Sequence, residues 1–250
     1  MADPAIFLTG TGTGVGKTVV GCALAALWAA QGRGPRVLKP AETGCARRGA
    51  GLHPADAWAL REAAGDARPL EEICPHRYAP PMAPAHAAEE EGSAPPDPEA
   101  VARAVAALRQ APGPLLVEGA GGLLVPLAPG VQMIDLARRC SLALLVVAPL
   151  GLGALNAAQL TVRAARAEGL PVAGIVLNDL EGEETPAARR NPSAIEELCD
   201  APLLGVFPHL PGIGDAIGGG THPGSGARPG SAAADRLRRA AAALDLAALA

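Results

Sequence analysis

A glycine-rich run, GTGTGVGKT from Gly10 to Thr18, stands near the start of the chain. Glycines in such a run let backbone N–H groups turn toward phosphate oxygens. A lysine then reaches the terminal phosphates, and a hydroxyl holds Mg2+. Gly16, Lys17 and Thr18 fill those places. The common spacing G-x-x-x-x-G-K-[ST] would begin at position 11, which is Thr11, whereas Gly10 lies one residue earlier. The loop is therefore longer than usual, which points away from ordinary kinases and GTPases. A chance Lys in a glycine-rich turn is the plainer alternative. The flanking runs favour nucleotide binding, because a phosphate loop needs a strand before it and a helix after it.

Further polar residues close apolar runs. Lys39, in LKPAETG, reads as a second cation beside the phosphates or as a solvated surface lysine, and Thr43 and Gly44 follow it as candidates for a substrate loop. Glu118 ends PLLVE and precedes GAGG. A carboxylate there must be paired or bound to a cation, because burying it alone is costly. Asp56 is the other candidate Mg2+ carboxylate, and equally a candidate helix cap. Asn178 and Asp179 end GIVLND. An amide at that point can read a purine edge through its donor and acceptor, or simply form a turn. Asn156 begins a helix whose free N–H groups attract a carboxylate. His53, His76 and His86 fall in loops, where a lone histidine carries no assigned catalytic role.

These residues need a frame to bring them together. The runs Ala5–Gly10, Arg36–Pro40, Pro114–Gly122, Ser141–Gly153, Pro171–Asp179 and Pro202–Phe207 read as strands, several of them apolar throughout. Helical segments are expected from Lys17 to about Ala30, over Pro54–Gly65, Asp97–Gln110, Ala154–Gly169 and Pro192–Asp200. Asp97, Pro98 and Glu99 make good helix-start chemistry. Residues 75–96 are expected to form a loop. Alternation of strand and helix predicts an α/β fold: a doubly wound, mostly parallel sheet in one domain of the P-loop NTPase kind. Ligands in such sheets sit at the carboxyl ends of the strands. The expected organisation is a domain over residues 1–211, a flexible Gly-rich segment over 212–231, and a C-terminal helix of the same domain over 232–250.

Composition narrows the function. The 250 residues carry a net charge of −4, without the basic excess of a nucleic-acid surface. The five cysteines form no CxxC pair, which fits reduced thiols in a cytoplasmic protein rather than a disulfide framework or zinc site. No signal peptide and no membrane-spanning run is expected. The hydrophobic fraction is 49% but aromatics are only 2%, so the core must be built from Ala, Val, Leu and Ile.

Taken together, GTGTGVGKT, LKPAETG, DAWAL, VEGAGGLLVPL, LGLGALNAAQLT, VLND and APLLGVFP resemble the dethiobiotin synthetase family, in family order. The family's forms of the first four are G-T-x-T-x-V-G-K-T, K-P-x-x-[ST]-G, D-A-x-x-L and V-E-G-A-G-G. The resemblance implies a homodimer that uses Mg2+-ATP to join CO2 to 7,8-diaminononanoate, through a carbamate and a carbamic-phosphoric mixed anhydride. It implies catalytic roles for Lys17, Lys39 and Thr43, and Mg2+ held by Thr18, Asp56 and Glu118. The nucleotide would meet Thr13, Gly14, Val15, Gly16, Lys17 and Thr18, with adenine read by Asn178 and the chain at Pro208, His209 and Leu210. The substrate would meet Thr13, Thr43, Gly119 and Gly121, and its carboxylate would meet Gly153 and Asn156 across the dimer interface. No nucleic-acid or membrane partner is implied. Two departures stand out. The family's P-x-x-P-H segment reads PMAPAHAA, with Ala85 in the His place and His86 one position later. Glu42 sits beside Thr43, either altering the local charge or pointing outwards. DNA-partitioning and division-site ATPases share the loop but carry an extra lysine near its start, where this chain has Thr and Gly. Glutamine-dependent cobyrinate amidases need a second domain, for which the chain is too short.

Overall fold

The computed structural model describes residues 3–49, 51–182, 184–217 and 231–249. All the expected sheet runs are strands: β1 (Ala5–Gly10), β2 (Arg36–Leu38), β3 (Leu115–Gly122), β4 (Ala143–Pro149), β5 (Val172–Asn178) and β6 (Leu203–Phe207). They form one sheet in the order β6-β5-β4-β1-β3-β2, and every neighbouring pair is parallel.

Helices cover both faces, which is why the strands are apolar on both sides. Along β1, Ile6 and Leu8 face one way and Phe7 the other. The first face packs on α1 (Lys17–Ala30), α2 (Ala55–Ala64) and the C-terminal helix; the second packs on α4 (Pro98–Leu108), α5 (Met133–Cys140), α6 (Ala154–Ala167) and α7 (Pro186–Leu198). Alanines along α1 let its neighbours approach closely, and Trp28 at its far end is among the largest fully buried side chains. Asp97 caps α4 as expected, accepting from the N–H of Glu99 at 2.9 Å and of Ala100 at 3.1 Å.

Three expectations need correction. Residues 75–96 are not simply a loop: His76–Arg77 pair with Ala41–Glu42 in a short parallel ladder, and Pro84–Glu90 form α3. Pro84, expected in a loop, is a favoured N1 residue at the helix start. Helix α7 begins at Pro186 after a Thr185 cap and runs through Pro192, its expected start. Helix α5 had no counterpart in the sequence reading. Of the stretch read as flexible, 218–230 lie outside the described residues, while Ile213–Ala216 form the single-turn α8. Ser231–Ala242 form α9.

Candidate active site

The strand order reverses around β1, and the residues singled out gather at the carboxyl ends of β1, β2, β3 and β5, the expected ligand position in such a sheet. An open groove of about 570 Å3 lies there, lined by Thr13, Gly14, Gly16, Lys17 and Thr18 from the loop, Lys39, Glu42 and Thr43 beyond β2, Asp56 of α2, and Gly121 near the end of β3.

The loop's shape follows from its glycines. A Cβ on Gly10 would lie 2.7 Å from Val15 Cγ2 and 2.8 Å from the Gly12 carbonyl, so the chain can fold back over this position only because it is glycine. Gly16 has φ of 85°, a left-handed value that disfavours side chains, and a Cβ there would sit 2.0 Å from Asn178 Nδ2. The Asn178 amide donates to the Val15 carbonyl at 3.0 Å and so braces the loop. Lys17 Nζ donates to the Gly12 carbonyl at 3.1 Å. Burial lowers the Lys17 pKa, and the Glu118 carboxylate works against that shift.

Glu118 owes its place to a break in the sheet ladder. β1 and β3 pair in register from Ala5–Leu115 to Leu8–Glu118, after which Gly10 pairs with Gly122, so Gly119–Gly121 bulge out. The bulge ends regular pairing at the side chain of Glu118, on the face toward α1. Its Oε1 accepts from Thr18 Oγ1 at 2.9 Å and from Lys39 Nζ at 2.5 Å, while Oε2 is buried with no hydrogen-bond partner. Lys39 also donates to Asp56 Oδ2 at 2.9 Å. Lys39 is 3% exposed, so the reading as a solvated lysine is overturned. Burial opposes its charge, but Asp56, Glu118 and Glu42 outweigh that and hold the ammonium well above its ordinary pKa. Burial likewise opposes the charge of Asp56, and Lys39 prevails, holding that carboxyl below its usual range.

Asp56 is not a helix cap. Its side chain turns to Lys39 and keeps 36% of its surface accessible, so it can meet a ligand. The cap comes from Glu42, which is buried, not outward-pointing: its two oxygens accept from the N–H of Asp56 at 3.0 Å and of Ala57 at 2.9 Å. Spacing gave no sign of this, because the bond joins residues on opposite sides of a hairpin (Ala46–Arg48 with Gly51–His53). Burial and the Asp56 carboxylate push the Glu42 pKa up to about 8.

A hydroxyl and two carboxylates around Lys39, with one buried carboxylate oxygen unpartnered, form an oxygen-only donor set that suits Mg2+. Among the described residues no cluster of three His, Cys, Asp or Glu offers a different metal site.

Other expected site residues lie elsewhere. Gly119 meets the Phe7 ring, 2.9 Å from where its Cβ would be, instead of facing the groove. Val15 is buried under the loop. Pro208, His209 and Leu210 follow β6, with His209 against Gly182. Gly153 and Asn156 are exposed at the start of α6 and do not line this groove. His86 is exposed on α3. Met82, Gly214 and Ile217 also line the groove, and nothing in their residue types had marked them.

A family model described as "AAA domain" matches residues 4–216. The ATP-dependent dethiobiotin synthetase BioD of Anaeromyxobacter dehalogenans (strain 2CP-C) is 46% identical over 83% of this chain and 91% of its own length. The enzyme of the same name from Saccharopolyspora erythraea is 44% identical over 81% of this chain and 86% of its own. Among solved structures, the septum site-determining protein MinD of Pyrococcus horikoshii, complexed with Mg-ADP, superposes with a TM-score of 0.56 at 19% identity, over 96% of this chain and 95% of that one. A ParA family ATPase from Chlorobium tepidum gives 0.55 at 14% identity, covering 96% and 99%. At such identities these two speak for the fold alone. Among the described residues no helix is long and apolar enough to cross a membrane.

Proposed function

The chain belongs to the ATP-dependent dethiobiotin synthetase family, and from that premise we propose how its groove performs the ATP-dependent ring closure of biotin biosynthesis. One amine of 7,8-diaminononanoate adds to CO2, forming a C–N bond and losing a proton, to give a carbamate. A carbamate oxygen takes the γ-phosphoryl group of ATP and ADP leaves. The second amine attacks the carbonyl of the mixed anhydride, closing the cyclic urea as phosphate departs.

The observation that carries this reading is the pairing of two buried lysines, Lys17 and Lys39, with Thr18 and Asp56 in one groove, and with the buried Glu118 bonded to Thr18 and Lys39. The intermediates are anions beside a triphosphate. Fixed positive charge where negative charge develops is commonly the largest catalytic contribution. Lys17 reaches the phosphates by exchanging its bond to the Gly12 carbonyl. Lys39 meets the transferring group, and its two carboxylate partners keep it charged and aimed. Thr43 donates to the carbamate, and Thr13 and Gly121 border the diamine. Thr18, Asp56 and Glu118 hold Mg2+, which neutralises phosphate charge when bound. Asn178 meets adenine while its amide braces the loop, with Pro208–Leu210 completing the base-binding wall. Gly153 and Asn156, remote from the groove of one chain, take the substrate carboxylate across a homodimer interface. Residues 1–211 and the C-terminal helix act as one domain, and the enzyme works in the cytoplasm with small-molecule partners.

The test is ADP release from Mg2+-ATP, bicarbonate and the diamine, with mass analysis of the organic product and Lys39→Ala alongside. ADP formed in step with a cyclic urea, and lost in the variant, supports the reading. ADP release indifferent to the diamine overturns it.

A further inference from the structure

Helix α7 carries an Asn-Pro pair, Asn191 and Pro192, in its interior. Both residues disfavour a helix interior: asparagine is a weak helix former, and proline removes an N–H from the ladder. Asn191 is nonetheless 5% exposed and buried against a different element. Its Nδ2 donates to the carbonyls of Leu150 at 2.7 Å and Gly151 at 2.8 Å, two consecutive residues some forty positions away in sequence. One amide nitrogen thereby spends both hydrogens on a single turn.

That turn joins β4 to α6. It is held on its other side by the Leu150 N–H, which donates to the Asn178 carbonyl at 2.9 Å. It then passes through Gly153, at φ of 91°, into the helix start. With the carbonyls of Leu150 and Gly151 drawn inward to Asn191, the turn is fixed in orientation. The Ala154 N–H donates back to the Gly151 carbonyl at 3.3 Å, so it is the next N–H groups, those of Leu155 and Asn156, that like those of any helix start lack intrahelical partners.

We propose that Asn191 is the positioning residue of the carboxylate-binding turn: it sets the aim of the α6 N-terminus toward the substrate carboxylate without touching the substrate. The proposal rests on the reading above that Gly153 and Asn156 take that carboxylate. Through the Asn178 carbonyl the same turn abuts the residue that braces the phosphate loop, but Asn178 itself stays fixed by its strand and by Val15. Loss of Asn191 therefore affects the diamine and not the nucleotide.

The experiment compares 7,8-diaminononanoate with 2,3-diaminooctane, which keeps both amines and lacks the carboxylate, in the wild-type enzyme and in Asn191→Ala. The variant is expected to raise KM for the diaminononanoate on the order of tenfold, as misaimed contacts do, and to leave KM for the diaminooctane and for ATP unchanged. Asn191→Ser, which keeps one donor, gives an intermediate rise and serves in its place should the alanine variant not fold. Equal rises for both diamines, a parallel rise for ATP, or no rise at all overturns the proposal. If the wild-type enzyme binds both diamines equally well, the carboxylate reading itself fails, and this proposal with it.

Discussion

Replacing Glu42 by glutamine tests the electrostatics of the groove more sharply than removing a lysine. Glu42 is 6% exposed, and its pKa is pushed up to about 8 from an ordinary 4.5, by burial first and by the Asp56 carboxylate second, against Lys39 and the two backbone donors of α2. Between pH 4.5 and about 8 the folded protein holds a proton that the unfolded chain has released. The contribution of Glu42 to stability is therefore greatest below pH 4.5 and declines as pH rises through that window. Each unit of pKa difference corresponds to about 1.4 kcal/mol, so the decline is on the order of 3–5 kcal/mol if nothing relaxes around the charge. Glutamine carries no proton to lose and keeps one acceptor for α2. At pH 5 Glu42→Gln should cost about 1 kcal/mol, the usual worth of a helix-cap bond. By pH 9 the variant should be the more stable protein. Urea unfolding of both proteins at each pH from 5 to 9 gives the difference directly, with groups common to both cancelling. A difference that stays flat with pH, or that grows in favour of the wild type, would refute the reasoning.

The other expectations concern single contacts. Lys39→Ala leaves the Asp56 and Glu118 carboxylates without their shared partner, and breaking a buried pair in this way costs about 3–5 kcal/mol; an unchanged melting temperature would contradict the pairing. Gly16→Ala forces a side chain onto Asn178 in a left-handed backbone, so calorimetry should find ATP binding lost, and retained affinity would mean that the loop does not hold the phosphates. Glu118→Gln keeps the side chain's shape but removes charge at the proposed Mg2+ site; turnover should fall on the order of a hundredfold or more, with a raised Mg2+ requirement, and normal Mg2+ dependence would exclude Glu118 as a ligand.

The phosphate loop and the parallel sheet were legible because their signals are local. Glycines at Gly10 and Gly16 declare a backbone that other residues resist, and uninterrupted apolar runs declare strands covered on both faces. Lys39 and Glu118 were legible for a related reason: a charged residue closing an apolar run marks a strand end, and strand ends in this fold meet the ligand. Local signals misled where a residue type serves opposite purposes. Pro84 starts α3 where a loop is expected, and Pro192, the expected start of a helix, lies inside α7.

Sequence by itself thus determined the fold class, the nucleotide loop and the family. The tertiary structure decided which groups pair: that Lys39 lies between Asp56 and Glu118, that Glu42 rather than Asp56 caps α2, and that Asn191 holds a turn forty residues away. The physical reason is range. Backbone conformation and strand burial are written in neighbouring residues, whereas a hydrogen bond or ion pair between distant segments exists only once the sheet order has brought their ends within about 3 Å.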